Sequence, residues 1–397
     1  MEPVSRFSAR TGWDVAESSY AAAVRLARAS GRRIHDLTVS NPTQCGFSYD
    51  SAALLRPLAD ARALVYDPDP RGIRSAREAV AGYYADHRAV VSPDDLILTT
   101  STSEGYSFLF RLLCEAGDEV LVAQPSYPLF DFLATLDDVR LRPYPLFYDH
   151  GWCIDFDRLE AAIGPRTRAV LVVHPNNPTG HWTGSIERDR LEELCARHGL
   201  ALIVDEVFLD YPLDASAHLP RTFARGPHPV LTFVLSGLSK ICGLPQMKAA
   251  WLLARGPDAA RADALARLEI VADTFLSMNA PVQLAMPEWL AGRGGVQAEI
   301  LARARGNLAA LERLAALERR EGSAGGLEVL RTEAGWSAVL SLAGCVGERD
   351  CAERLVRERG VVVHPGGFYA MPEGQRVVAS LIVPAVEFME GIQAAIV

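Results

Sequence analysis

The chain has 397 residues, 49% hydrophobic and 22% charged, with 49 acidic against 40 basic side chains and a formal net charge of −9. That composition supplies a large core, and the length suits one large α/β unit with a smaller companion. Net acidity without a basic block argues against nucleic acid as a partner, and no apolar run reaches the roughly 18 residues of a membrane span, so a cytoplasmic protein is expected.

The seven cysteines are odd in number and form no CxxC pair. They read as reduced thiols, not as a disulfide or metal framework. The nine histidines form no metal-binding cluster, and His174, His181 and His364 read as packing or loop histidines. No metal is expected.

In chain order, an amphipathic helix from Val15 to Ser30 comes first. The turn Ser40-Asn-Pro-Thr-Gln-Cys-Gly46, the loop Tyr66-Asp-Pro-Asp-Pro-Arg-Gly72 and a helix from Ile73 to His87 follow. Short apolar runs then begin at Leu96, Glu119, Ala169, Leu200, Val230 and Ala250. Most are separated by helical segments such as Ser103–Glu115 and Ile186–His198. Runs apolar on both faces, alternating with helices, predict a mostly parallel, doubly wound α/β sheet. In such sheets ligands bind beyond the carboxyl ends of the strands. Past about residue 257 the pattern shifts to long helices, then to short strands at Leu327–Arg331, Ser337–Leu342, Val361–Val363 and Arg376–Val383. The expected division is an N-terminal arm (1–45) packing with the small unit, a large unit (46–275) and a small α+β unit (276–397).

Three short segments carry chemistry: His174-Pro-Asn-Asn177-Pro-Thr-Gly180, Asp205-Glu-Val-Phe208 and Ser236-Gly-Leu-Ser-Lys240. Alone, each has a plainer reading: a turn, a helix cap and a solvated turn lysine. Each follows an apolar strand, and Asn177, Asp205 and Lys240 are spaced by 28 and 35 residues.

Together they resemble the aspartate-aminotransferase-like group of pyridoxal-phosphate enzymes, the class I/II aminotransferases of fold type I. The resemblance runs from Asn41-Pro to the strand starting at Arg376. It implies pyridoxal 5′-phosphate as cofactor, with Lys240 forming the internal aldimine and moving the Cα proton. It implies Asp205 on the pyridinium nitrogen and Asn177 on the ring oxygen, where an Asx turn is compatible. Tyr127 is implied on the ring face, with core packing as its alternative. Thr102, Ser103, Ser236 and Lys248 would cup the phosphate. Tyr66 would reach the phosphate of a partner subunit in a homodimer, or be a turn aromatic. Arg376 would grip the substrate carboxylate, with Ser40 bordering the substrate.

Two positions depart from the family pattern. Phe208 stands where a tyrosine hydroxyl is usual, and Lys248 where an arginine is usual. The expected reaction is ping-pong transfer of an amino group between a neutral or hydrophobic α-amino acid and a 2-oxo acid. Phe275, Met278, Asn279 and Phe368 are the candidate pocket residues behind that preference. The alternative is an amino-acid lyase or decarboxylase on the same fold. A ligand-sensing regulator would carry a basic helix-turn-helix extension, which is not seen before Asn41.

Overall fold

A computed structural model describes residues 7–214, 222–276, 278–320, 326–342, 348–371 and 376–396. Eight strands form the large sheet: β1 (Leu96–Thr99), β2 (Glu119–Gln124), β3 (Arg140–Tyr148), β4 (Trp152–Ile154), β5 (Thr167–Val173), β6 (Ala201–Asp205), β7 (Thr232–Gly237) and β8 (Ala250–Arg255). Their order is β1-β8-β7-β6-β5-β2-β3-β4. The pairs β7/β6, β6/β5, β5/β2 and β2/β3 are parallel, while β8 runs antiparallel to both its neighbours and β4 to β3.

The inner strands β6 and β7 are buried at every position, which is why they read as continuous apolar runs. Strand β3 escapes that reading. It lies next to the edge, carries Arg140, Arg142 and two prolines, and is largely exposed over its first half.

Helices α1 (Ser19–Ala29), α2 (Arg74–Asp86), α3 (Thr102–Leu113), α4 (Leu129–Leu136), α5 (Ser185–His198), α6 (Asp258–Phe275), α7 (Ala280–Gly292), α8 (Gly294–Arg320) and α9 (Ala385–Ile396) account for most of the helical chain. Two clusters flank the sheet. One joins Leu98, Val170, Val204 and Trp251 to Tyr83 of α2 and Trp289 of α7. The other joins Ile97, Leu171 and Phe233 to Phe108 of α3 and Leu268 of α6. Helix α7 thus shares its core with the large sheet, although the sequence division placed it in the small unit.

A four-stranded antiparallel sheet, β9 (Leu327–Val329), β10 (Ser337–Leu342), β12 (Arg376–Ser380) and β11 (His364–Pro365) in spatial order, builds the third core with α1, α8 and α9. The arm divides between the two bodies. Helix α1 packs by Tyr20, Ala23 and Ala27 into the small sheet's core. Ahead of it, Trp13 meets Phe132 of α4 edge-on at 5.2 Å, and Arg10 pairs with Asp138. Past α1, His35–Asp36 pairs in parallel with Val361–Val362, and the Ser380 amide donates to the Leu37 carbonyl at 2.7 Å.

Cys45, Cys114, Cys153, Cys195 and Cys242 are free thiols as expected; Cys351 departs from that expectation, being disulfide-bonded.

Candidate active site

The carboxyl ends of β1, β2, β5, β6 and β7 open on one rim, and antiparallel β8 brings its amino end to the same place. There a cavity of about 540 Å³ lies against the small sheet. Lys240, Asp205, Asn177, Tyr127, Phe208, Thr102, Ser103, Lys248 and Ser40 all line it.

Lys240 stands on the one-turn helix Leu238–Ile241, directly after β7. Its carbonyl accepts the Tyr211 hydroxyl at 2.5 Å. The amine lies 5.2 Å from the Trp336 ring centre and 5.7 Å from that of Phe208. Desolvation among these rings lowers its pKa, and the charge of Asp205 opposes the shift.

Asp205 ends β6 and is 6% exposed. Its Oδ2 accepts from the Tyr106 hydroxyl at 2.7 Å and its Oδ1 from the Val207 amide at 3.0 Å. Burial raises its pKa; those two donors and Lys240 pull it back.

Asn177 opens the turn that follows β5. The turn is anchored by Gly180, at φ +68°, where an added Cβ would lie 2.5 Å from the Ala334 carbonyl oxygen. Ser337 of β10 donates to Asn177 Oδ1 at 3.4 Å.

Helix α3 presents its N-terminal end to the cavity. Ser101 caps it by accepting from the Glu104 amide at 3.2 Å, and Glu104 accepts from the Thr100 amide at 2.7 Å. The amides of Thr102 and Ser103, which have no partner inside the helix, lie at the cavity. Lys248, exposed and in a left-handed turn, adds a cation.

Ser236 does not reach this cup. Strand β7 runs two residues beyond the apolar run, to Gly237, and alternation turns Ser236 away. Its buried hydroxyl faces the Glu206 carbonyl at 3.4 Å, while Gly237 and Ser239 line the cavity. Gly237 has no room for a side chain: a Cβ would sit 2.8 Å from that of Ala250.

Arg376 is also outside the cavity lining. It starts β12 on the same face as Val378 and Ser380, which do line it, but its guanidinium lies 5.5 Å over the Trp152 ring. Tyr66 is 82% exposed and lines a separate groove with Met278 and Asn279. Phe275 packs on Phe108 at 5.5 Å, so Phe368 alone of the candidate pocket residues meets the cavity.

Several lining residues were not read from the sequence. Trp336, Ser337, Ser380 and Thr38 come from the small sheet and the arm. His364, read as a packing residue, lies beside them, its Nδ1 2.9 Å from the Tyr369 hydroxyl. Desolvation lowers its pKa, with Asp36 opposing.

Comparison with known proteins follows the same lines. The family model "Aminotransferase class I and II" matches residues 50–382. A glutamate-pyruvate aminotransferase, AlaA, of Haemophilus influenzae is 27% identical over 73% of this chain and 71% of its own. An alanine aminotransferase of Mycobacterium bovis is 30% identical over 70% of this chain and 65% of its own. The crystal structure of an aminotransferase from Escherichia coli superposes with a TM-score of 0.84, at 20% identity, over 99% of this chain and 97% of that one. The fold is therefore fold type I, and the chain belongs to the class I and II aminotransferases, a family of pyridoxal-phosphate-dependent enzymes.

Proposed function

We propose that the protein is a cytoplasmic, homodimeric aminotransferase moving an amino group between a neutral α-amino acid and a 2-oxo acid. One observation carries the reading: a desolvated amine, Lys240, shares one cavity with a buried carboxylate, Asp205, and an anion-binding helix end. The donor set fits pyridoxal phosphate. Thr102, Ser103, Ser239 and Lys248 would hold its phosphate, Asp205 its ring nitrogen and Asn177 its ring oxygen, with Tyr127 against its face.

When bound, that cofactor supplies an electron sink for the charge left at the substrate Cα. The protein's own part is positional and protonic. Tyr211 fixes the backbone of Lys240. The Lys240 amine, whose pKa desolvation lowers, would take the Cα proton and return it. Trp336 and Phe208 shield that amine from water. Arg376 would have to leave the Trp152 ring to grip the substrate carboxylate. Thr38, Ser40, Ser380, Phe368 and His364 form part of the wall and bring no carboxylate or guanidinium to it, which favours an uncharged substrate side chain.

The names of the relatives support transamination over the lyase or decarboxylase alternative. The homodimer rests on Tyr66, which with exposed Leu64 and Val65 borders a groove outside its own chain's cavity. Among the described residues no helix is long and apolar enough to cross a membrane. A panel of amino acids, followed by loss of the cofactor's visible absorbance and its return with a 2-oxo acid, tests the reaction. Steady ammonia release without need of a 2-oxo acid would overturn it.

A further inference from the structure

We propose that Tyr106 is a positioning residue for Asp205, holding that carboxylate ionised and aimed into the cavity. This rests on the reading that Asp205 serves the cofactor's ring nitrogen.

The geometry is specific. Tyr106 is 2% exposed, and its hydroxyl donates to Asp205 Oδ2 at 2.7 Å. The Val207 amide donates to Oδ1 at 3.0 Å. Each carboxylate oxygen thus has one internal donor and keeps a lone pair for a ligand. A carboxylate removed from water needs such donors to remain charged. Burial beside Asp205 raises the pKa of the Tyr106 phenol well above its ordinary value, so it stays a donor throughout the working pH range.

The phenol is held rigidly. Its ring meets Phe130 edge-on at 5.0 Å and Phe110 at 6.3 Å. Gly105 seats the helix on β7 so closely that a Cβ there would lie 2.6 Å from Leu235 Cδ2. Helix α3 therefore serves the site twice. Its first turn offers Thr102 and Ser103 to an anion, and Tyr106, one turn on, sets the carboxylate. Nothing in the sequence singled Tyr106 out, because its partner is 99 residues away.

The test is Tyr106→Phe, which keeps the ring and removes the donor. The protein is reconstituted with ¹⁵N-labelled pyridoxal phosphate, and the ring-nitrogen chemical shift is read by NMR. The expected result is a protonated nitrogen in the unmutated holoenzyme and a shift toward the unprotonated range in Tyr106→Phe. The turnover number should fall about tenfold or more, the effect of one hydrogen bond to a charged group, with KM little changed. Tyr106→His, which restores an N–H donor, should recover part of both and covers the case in which Tyr106→Phe does not fold. An unprotonated nitrogen in the unmutated protein overturns the reading of Asp205 itself. A protonated nitrogen whose shift is the same in Tyr106→Phe overturns the role of Tyr106 alone.

Discussion

The Tyr211 hydroxyl donates to the carbonyl oxygen of Lys240 at 2.5 Å, while its ring stacks edge-on against Trp336 at 4.9 Å. One side chain thus ties the amine's backbone to the ring that shields the amine. Tyr211→Phe leaves a buried carbonyl without this donor and should lower the unfolding free energy by about 1–2 kcal/mol. Chemical denaturation measures this, and turnover should fall more than KM rises. Unchanged stability and turnover would show that the bond carries no weight.

Phe208 lines the cavity with its ring against Trp336 at 5.4 Å, and no hydroxyl is present there to help Asn177 hold an ionised ring oxygen. A hydrogen bond to a charged group is worth roughly 1.5–3 kcal/mol. Phe208→Tyr should therefore lower the pH midpoint of the bound cofactor's visible absorbance by about one unit, at ~1.36 kcal/mol per unit. Identical titration curves would count against the assignment.

Lys248 offers a point charge at the anion end and not a bidentate fork. Lys248→Arg should retain the cofactor more tightly, and its advantage should persist as salt is raised. Equilibrium dialysis across a salt series decides this; equal retention at every concentration removes Lys248 from the cup.

Glu206 is fully buried behind Asp205, accepting from the Thr222 hydroxyl at 2.5 Å and the Phe223 amide at 2.6 Å. Desolvation raises its pKa from 4.5 to about 7. The folded state therefore binds this proton more tightly than the unfolded one. Below pH 4.5 the group contributes no difference; between 4.5 and about 7 stability falls, and above that the loss is complete. The total is on the order of 3 kcal/mol. Glu206→Gln should flatten the pH dependence of the unfolding free energy between pH 5 and 8. Parallel curves for the two proteins would refute the buried-proton account.

Tyr66 is exposed in a single chain. In a homodimer that completes the partner's site, Tyr66→Phe should weaken cofactor binding without changing the sedimentation mass. A monomer with full cofactor affinity would exclude the shared site.

The large sheet was legible because its inner strands are buried on both faces and so lack alternation. Asn177, Asp205 and Lys240 stood out in the sequence because each lies at or just past the end of such a strand, and all three line the cavity. Ser236 was misread by parity: with the strand extended to Gly237, a one-residue difference decides which face a side chain takes. Trp336 and Ser337 were not read as site residues, and His364 was read as a packing or loop histidine, because only register brings them to the cavity. Ser337 pairs with Ser380 and His364 with Val378 across neighbouring strands of the small sheet. Tyr106 looked like one more aromatic in an apolar helix, since only tertiary packing reveals its carboxylate partner.

The pairing of the Ser380 amide with the Leu37 carbonyl has a consequence for biogenesis. Thr38 and Ser380 line the same cavity, so its walls are drawn from segments far apart in the chain. A ribosome-bound chain that has completed the large sheet still lacks the strand bearing Ser380. Loop-closure entropy must be met across more than three hundred residues before this contact forms. Cofactor capture in its final geometry is thus a late event, and deleting the chain from β12 onward should abolish the site while leaving much of the large sheet's core intact.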